Sequence, residues 1–123
     1  MRILTCVLLG AATAAHADPA PKEFPPNAVV LSASALRERL ADKVYRVQLA
    51  DGGGWRIDYR ANGYYYVNTN EGYSDTGKWT VQEGQLCSMP RKTAPACNEV
   101  REVGDPIIYL KRLNGDIIQL KPQ

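Results

Sequence analysis

The feature that most constrains the fold of this chain is a turn signal that recurs about every ten residues after Val44. Glycine, asparagine, aspartate and proline are favoured in tight turns because they accept or impose the backbone angles that turns need. Seven such breaks occur, at residues 51–54, 61–63, 70–72, 83–84, 90–95, 104–106 and 114–115. They separate about eight short segments, a spacing that is typical of an antiparallel meander or barrel.

Apolar and polar residues alternate within these segments with a period of two, which is typical of strands that bury one face. Trp55, Ile57 and Tyr59 are predicted to face the interior, with Arg56 and Asp58 outside. The same alternation predicts an inward Trp79 further along the chain.

The last two segments, 107–113 and 116–120, are apolar on both faces. Their outer side is therefore expected to be covered, and the helix described next is the expected cover. Asn114-Gly115 between the two segments predicts a hairpin with a type I′ turn, because this pair accepts positive φ angles.

Residues 32–43 predict the one helix of the chain, with Ser32 or Ser34 as its N-cap. Leu36 and Leu40 lie four residues apart, so one helix face is predicted to be buried. The predicted fold class is therefore mainly all-β. It is a meander of about eight short antiparallel strands that forms a small barrel or a curled sheet, with one N-terminal helix.

The first 17 residues predict a signal peptide. Met1-Arg2 is positively charged, the run that follows is apolar or small, and Ala15-His16-Ala17 fits the small-residue rule of signal peptidase. The apolar run is shorter than the roughly 20 residues that span a bilayer as a helix. We therefore expect cleavage near Ala17-Asp18, no membrane insertion, and a periplasmic or secreted protein.

Residues 18–31 are predicted to form an extended proline-rich arm, and residues 32–123 a single β-domain. Prolines hold the arm near polyproline geometry and remove backbone donors. The arm is interpreted either as a flexible lead-in or as a segment that reaches a partner, with Phe24 as its apolar anchor.

Composition argues against most enzyme classes. The only histidine, His16, leaves with the leader, so the usual Ser-His and Cys-His nucleophile arrangements and the common zinc sites cannot form. A carboxylate pair among Asp58, Glu71 and Asp75 is the remaining catalytic alternative. We predict no catalytic residue, no metal and no cofactor. Basic and acidic residues nearly balance, so we expect no nucleic-acid partner.

Cys87 and Cys97 are predicted to form a disulfide, since an isolated cysteine pair in an exported domain is most often bridged. Two redox-active thiols are the alternative. Gly77 and Trp79, on the segment that leads to Cys87, are predicted to be structural anchors of the scaffold.

Two groups of residues are candidates for binding. Tyr64, Tyr65 and Tyr66, together with Trp55 and Tyr59, are interpreted either as ordinary strand packing or as an aromatic wall of a pocket or partner face. Arg91 and Lys92 lie between the two cysteines and are predicted to sit on a rigid, basic, exposed loop.

The order Gly77-x-Trp79, Leu86-Cys87 and then Cys97-Asn98-Glu99-Val100-Arg101 resembles small exported bacterial β-proteins of unknown function. This resemblance covers residues 32–122 and implies a lipocalin-like or calycin-like small barrel with no known activity. The arm, the helix after Ser32 and the Asn114-Gly115 hairpin are similar in layout to periplasmic inhibitors of bacterial secreted metalloproteases. That resemblance implies inhibition by an arm that enters the protease cleft.

The predicted function is that of a non-catalytic exported binding protein, whose partner is another envelope or secreted protein. One alternative is a periplasmic protease inhibitor that acts through the arm. Another is a small-ligand carrier of lipocalin type, although strands of about five to seven residues are expected to leave limited room inside a barrel.

Overall fold

The computed structural model describes Gly10 and residues 19–123. Apart from Gly10, the predicted leader at residues 1–17 lies outside the described residues. The described chain forms a helix followed by strands, in the order α1 (Ala33–Leu40), β1 (Lys43–Gln48), β2 (Gly54–Tyr59), β3 (Tyr64–Thr69), β4 (Ser74–Gln82), β5 (Gln85–Pro90), β6 (Ala96–Arg101), β7 (Ile108–Lys111) and β8 (Ile117–Pro122). No helix in this part of the chain is both long enough and apolar enough to cross a membrane.

The strands form a closed antiparallel barrel in which each strand pairs with the next one along the chain. β8 returns to β1, where Tyr45 pairs with Pro122 and Arg46 with Lys121. The prediction of a small all-β barrel with one helix is confirmed, and the sheet is closed rather than merely curled. Closure leaves no free sheet edge, which removes the unpaired backbone groups that promote aggregation.

Several hairpins share one turn design. Leu49, Arg60, Thr69 and Arg112 each accept a hydrogen bond from the glycine three residues later and donate one to the carbonyl four residues later. The glycine has a positive φ in each case. The type I′ turn predicted at Asn114-Gly115 is wrong, because Gly115 has φ 91° but Asn114 has no positive φ. The turn begins earlier, at Arg112, and only its glycine adopts the left-handed conformation, as in a three-residue hairpin loop with a bulge.

Helix α1 closes one end of the barrel. Ser32 caps it by accepting a hydrogen bond from the Ala35 amide at 3.2 Å. The helix ends at Leu40, which is earlier than predicted, because Asp42 adopts a positive φ and β1 starts at Lys43. Leu36 and Leu40 are fully buried, as their spacing predicted.

The arm packs along the outside of the barrel. Its backbone is bonded at both ends: the Ile117 amide donates to the Pro21 carbonyl at 2.7 Å, and the Gly84 amide donates to the Leu31 carbonyl at 2.9 Å. Between these points, Val29 and Glu102 form an antiparallel bridge. Residues 21–31 are therefore held by the barrel itself.

The expected cover of the last hairpin was wrong. Ile118 faces the interior, so its neighbour Ile117 lies on the outer face of β8. Ile117 is nevertheless buried, and its amide is bonded to Pro21 of the arm. Lys22 forms an ion pair with Asp116 beside it. The main contacts of α1 are instead with β1 and β4. The sequence pattern signalled a covered strand correctly but could not say which segment covers it.

The disulfide between Cys87 and Cys97 is confirmed. The two residues face each other in the β5–β6 pair, with a Cα–Cα distance of 4.0 Å. Leu86 and Ser88 line the interior on either side of Cys87, so the bridge lies on the outer surface.

Removal of the disulfide is expected to destabilise the barrel without opening it. We expect Cys87→Ser/Cys97→Ser to lower the free energy of unfolding by about 3 kcal/mol, because the unfolded chain gains the freedom that the short cross-link removes. Urea unfolding of the oxidised protein and the double variant measures the difference. Reduced wild-type protein is the matched control and should unfold with the variant. Equal stability of the oxidised and double-variant proteins would contradict the prediction.

Deletion of residues 18–27 is expected to cost stability, because the arm covers Ile117. Exposure of one large aliphatic side chain and loss of the Pro21 bond should lower the free energy of unfolding by about 2 kcal/mol. Urea unfolding of the truncated and full mature chains tests this, with Phe24→Ala as a smaller change in the same segment. A truncated protein as stable as the full one would show that the arm is not held.

Candidate ligand-binding cavity

The barrel interior opens at the end opposite α1 into a cavity of about 720 Å³. The turns at residues 49–53, 69–73 and 112–116 and the loop at residues 91–95 surround this mouth. Inward side chains of β2 to β8 form the walls, and most of them are aromatic or aliphatic. Its volume lies within the range of roughly 300–1,000 Å³ that is usual for small-molecule sites. The deeper lining residues, among them Tyr59, Leu86 and Leu120, belong to the buried core, so the open space lies towards the mouth, as the short strands predict.

Three of the five predicted aromatic residues lie together on the cavity wall. Trp55 and Tyr59 project inward from β2, and Tyr65 projects inward from β3. The ring centroids of Tyr59 and Tyr65 are 6.2 Å apart, a distance typical of interacting aromatic pairs. Tyr64 and Tyr66 point the other way and are 42% and 47% exposed. The period of two in a strand explains this division.

Trp79 lies at the closed end of the barrel. It is 1% exposed, and its ring stands edge-on to Tyr59 with centroids 5.6 Å apart. Its indole nitrogen donates to the Arg60 carbonyl at 2.9 Å, and the Arg37 guanidinium of α1 lies 5.3 Å from its ring centroid. Trp79 therefore joins the helix to the barrel wall.

Gly77 allows β4 and β5 to approach closely near the cavity. A side chain at this position would collide with the backbone carbonyl of Met89 on the neighbouring strand. The wall between Trp79 and the mouth therefore depends on glycine at this point.

Asp75 and Lys92 tie two mouth segments together. The Asp75 carboxylate accepts hydrogen bonds from the amides of Thr76 at 2.7 Å and Lys92 at 3.1 Å. The Lys92 ammonium donates to the Ser74 carbonyl at 2.5 Å and lies 5.2 Å from the ring centroid of Tyr73. Partial burial raises the pKa of Asp75, but these amides and the charge of Lys92 outweigh it and bring the pKa below its ordinary value. The carboxylate is therefore held ionised.

The loop that carries Arg91 and Lys92 is thus folded onto β4. Both residues are exposed, yet the Arg91 amide donates to the Thr76 carbonyl at 3.1 Å. Thr93 and Ala94 of the same loop contribute to the cavity lining. The basic loop therefore forms part of the rim of the cavity.

Arg112 lies on the cavity lining near Trp55, and the sequence patterns did not single it out. Its guanidinium carbon is 5.1 Å from the Trp55 ring centroid. It was missed because the predicted segment 107–113 is apolar on both faces, so alternation did not show that Arg112 shares the inward face of Ile108 and Leu110. Its position two residues before Asn114-Gly115 was the only available signal.

Phe24 lies outside the cavity. The guanidinium carbon of Arg101 is 4.6 Å from its ring centroid, so this residue of the arm contacts the barrel's own β6. The ring is half-buried. The structure therefore places Phe24 apart from the aromatic residues of the cavity.

The structure places Asp58 and Asp75, two of the three carboxylates considered for a catalytic pair, on opposite faces of the sheet. Asp58 accepts a hydrogen bond from Arg60 at 2.9 Å on the outer side of β2, whereas Asp75 faces the cavity. Glu71 lies exposed in the turn before β4. Within residues 19–123, no group of three or more histidine, cysteine, aspartate or glutamate side chains is placed to hold a metal ion.

Burial changes the acidity of the two tyrosines on the cavity wall. Burial, and to a smaller extent the negative charge of Asp75, raises the pKa of Tyr65 to about 12. Burial likewise raises the pKa of Tyr59 far above the ordinary value, with Tyr65 and Tyr45 adding to the effect. Both side chains therefore stay neutral at any pH at which the cavity would bind a ligand.

The raised pKa of Tyr65 predicts a loss of stability at alkaline pH. The unfolded chain loses the tyrosine proton first, so the free energy of unfolding is unaffected below pH about 10 and falls as the pH rises towards about 12. We expect Tyr65→Phe to make this fall less steep, and Tyr66→Phe, an exposed position on the same strand, to leave it unchanged. Urea unfolding at several pH values above about 9 measures the slope. Identical slopes for Tyr65→Phe and wild type would contradict the prediction.

No family model, curated protein or solved structure matches this chain. The resemblances to lipocalin-like β-proteins and to metalloprotease inhibitors therefore remain predictions, and the function has to be argued from the cavity and the residues that line it.

Proposed function

We propose that this protein is a non-catalytic binding protein that holds a small, largely apolar molecule inside its barrel. The observation that carries this proposal is the cavity of about 720 Å³, lined by Trp55, Tyr59 and Tyr65 and open at one end. Sites for small molecules are typically concave, mostly apolar, and supplied with a few polar groups. Ser88 and Asn98 are such polar groups on the opposite wall.

The direction of the aromatic side chains favours a small molecule over a macromolecule as the occupant. A protein partner would need Trp55, Tyr59 and Tyr65 on the outer surface, but they project inward. Tyr59 and Tyr65 are 4% and 6% exposed, so a molecule that enters through the mouth would meet mainly Trp55 and the partly buried Val67 and Leu110 beside them.

The arm gives no support to the alternative of protease inhibition. An inhibitory arm has to leave its own barrel to enter a protease cleft, whereas residues 21–31 are bonded to β8, to Glu102 and to Gly84. Release of the arm would break these bonds and expose Ile117 before any contact with a protease formed. The cavity therefore remains the better-supported site.

We further propose that the protein works in an oxidising compartment after removal of residues 1–17. The disulfide between Cys87 and Cys97 supports this, because such bridges persist in the periplasm and outside the cell but are rare in the cytosol. A carrier in that setting would bind molecules that are poorly soluble in water and keep their apolar parts away from it.

A pair of tryptophan substitutions on neighbouring residues of β5 tests the proposal. Ser88 lines the cavity, whereas Met89 is 49% exposed on the outside. N-phenylnaphthylamine, an uncharged apolar fluorophore, should bind the wild-type protein with saturable fluorescence enhancement. We expect Ser88→Trp to weaken binding at least about tenfold by filling the cavity, and Met89→Trp to leave it unchanged.

Circular dichroism and urea unfolding establish that both variants remain folded. Should Ser88→Trp be unfolded, Ala96→Trp fills the cavity from β6 and replaces it. Absence of saturable binding to the wild type, or equal binding by the Ser88 and Met89 variants, would show that the cavity is not a ligand site.

A further inference from the structure

Two charged side chains line the cavity, and they differ in what already contacts them. Asp75 and Arg112 lie near the mouth. Both carboxylate oxygens of Asp75 are engaged, one by the Thr76 amide and the other by the Lys92 amide. Asp75 therefore has little capacity left for a ligand, and its charge is offset by Lys92 beside it.

Arg112 is in the opposite situation. Within residues 19–123, its guanidinium makes no hydrogen bond or ion pair with a protein group. The nearby Asp116 carboxylate is paired with Lys22. The hydrogen bond and the charge of Lys22 and, to a smaller extent, the charge of Arg112 lower the pKa of Asp116, so Arg112 attracts Asp116 without a hydrogen bond to it. The described contact of the Arg112 guanidinium is the face of Trp55, at 5.1 Å from the ring centroid.

A cation–π contact with Trp55 holds the Arg112 guanidinium at the boundary between the apolar cavity and water. This contact uses none of the N–H donors of the guanidinium, so they are available to a ligand. These donors match a carboxylate or phosphate, which they can bind through two parallel hydrogen bonds. An anion at this point would remain close to water, so it would avoid the large cost of a buried charge.

We propose that Arg112 binds the anionic head group of an amphiphile whose apolar chain occupies the cavity. This inference rests on the proposed small-molecule function and specifies its ligand class. The head group is a carboxylate or a phosphate, since the two share the chemistry that a guanidinium recognises. Trp55 and the partly buried Val67 and Leu110 near the mouth contact the chain, and Arg112 keeps the head group at the mouth.

Four probes with the same number of carbon atoms separate the contribution of the head group from that of the chain. They are dodecanoate, dodecyl phosphate and dodecylammonium, each used below its critical micelle concentration, and dodecanol, used below its solubility limit. Displacement of N-phenylnaphthylamine from the oxidised mature protein gives the affinities. We expect the better of the two anions to bind at least about tenfold more tightly than dodecanol, and dodecylammonium to bind more weakly. The comparison of the two anions identifies the preferred head group.

Variants then assign the preference to Arg112. Arg112→Gln should bind the anions no more tightly than dodecanol and should leave the dodecanol affinity within about twofold of wild type. Arg112→Lys should keep part of the preference, because it retains the charge but loses the two-point geometry. Arg46→Gln, an exposed arginine on the outer face of β1, is the matched control and should keep all of it.

Each outcome tests either the role of Arg112 or the small-molecule function of the cavity. Equal wild-type affinity for anions and dodecanol, tighter binding of dodecylammonium, or an anion preference that survives Arg112→Gln would overturn the role of Arg112 and leave the cavity as an apolar site. Failure of all four probes and of N-phenylnaphthylamine to bind would overturn the small-molecule function as well. The wild-type comparison needs no variant, so it stands even if Arg112→Gln does not fold.

Discussion

The contact between Trp79 and helix α1 is the constraint on which the rest of the structure depends. The interior of an eight-stranded barrel is just wide enough for inward side chains to fill. The two ends of the barrel are not covered by its strands, so another segment has to shield the core there. Leu36 and Leu40 close one end from the helix, and Trp79 meets them from β4 with its indole nitrogen bonded to the Arg60 carbonyl. Tight packing is thereby concentrated at one end, and the other end remains open as the cavity.

The mouth of the cavity is held by contacts that lie outside the cavity itself. The disulfide joins β5 to β6 at the base of the loop at residues 91–95. Lys92 fastens the same loop to Ser74, and Lys22 fastens the arm to Asp116 near the turn at residues 112–116. A rim fixed before a ligand arrives reduces the ordering entropy that binding would otherwise cost. Rigidity of the outer scaffold is thus linked to the binding role proposed for the interior.

Local sequence patterns predicted much of this fold. They did not predict the contacts between segments that lie far apart in the sequence. Glycine turns and alternation placed Trp55, Tyr59 and Trp79 on inward faces, because turn chemistry and strand period depend on a few neighbouring residues. The disulfide was also predictable, because an isolated cysteine pair in an exported domain is usually bridged. The cavity volume depends on barrel closure and on how far inward side chains reach, and no window of sequence contains that information. Arg112 and the docked arm were missed because neither a segment that is apolar on both faces nor a proline-rich segment shows which residues its side chains will contact.

The seam between the two ends of the chain has a consequence for how the fold is reached. β1 pairs with β8, the Gln123 amide donates to the Val44 carbonyl, and Pro21 accepts from Ile117. These contacts join segments that lie far apart in the sequence. Such topologies fold slowly, because the entropy cost of closing a long loop comes before the contacts that offset it. The barrel cannot close until its last strand is present. A nascent chain that lacks β8 therefore lacks a closed cavity.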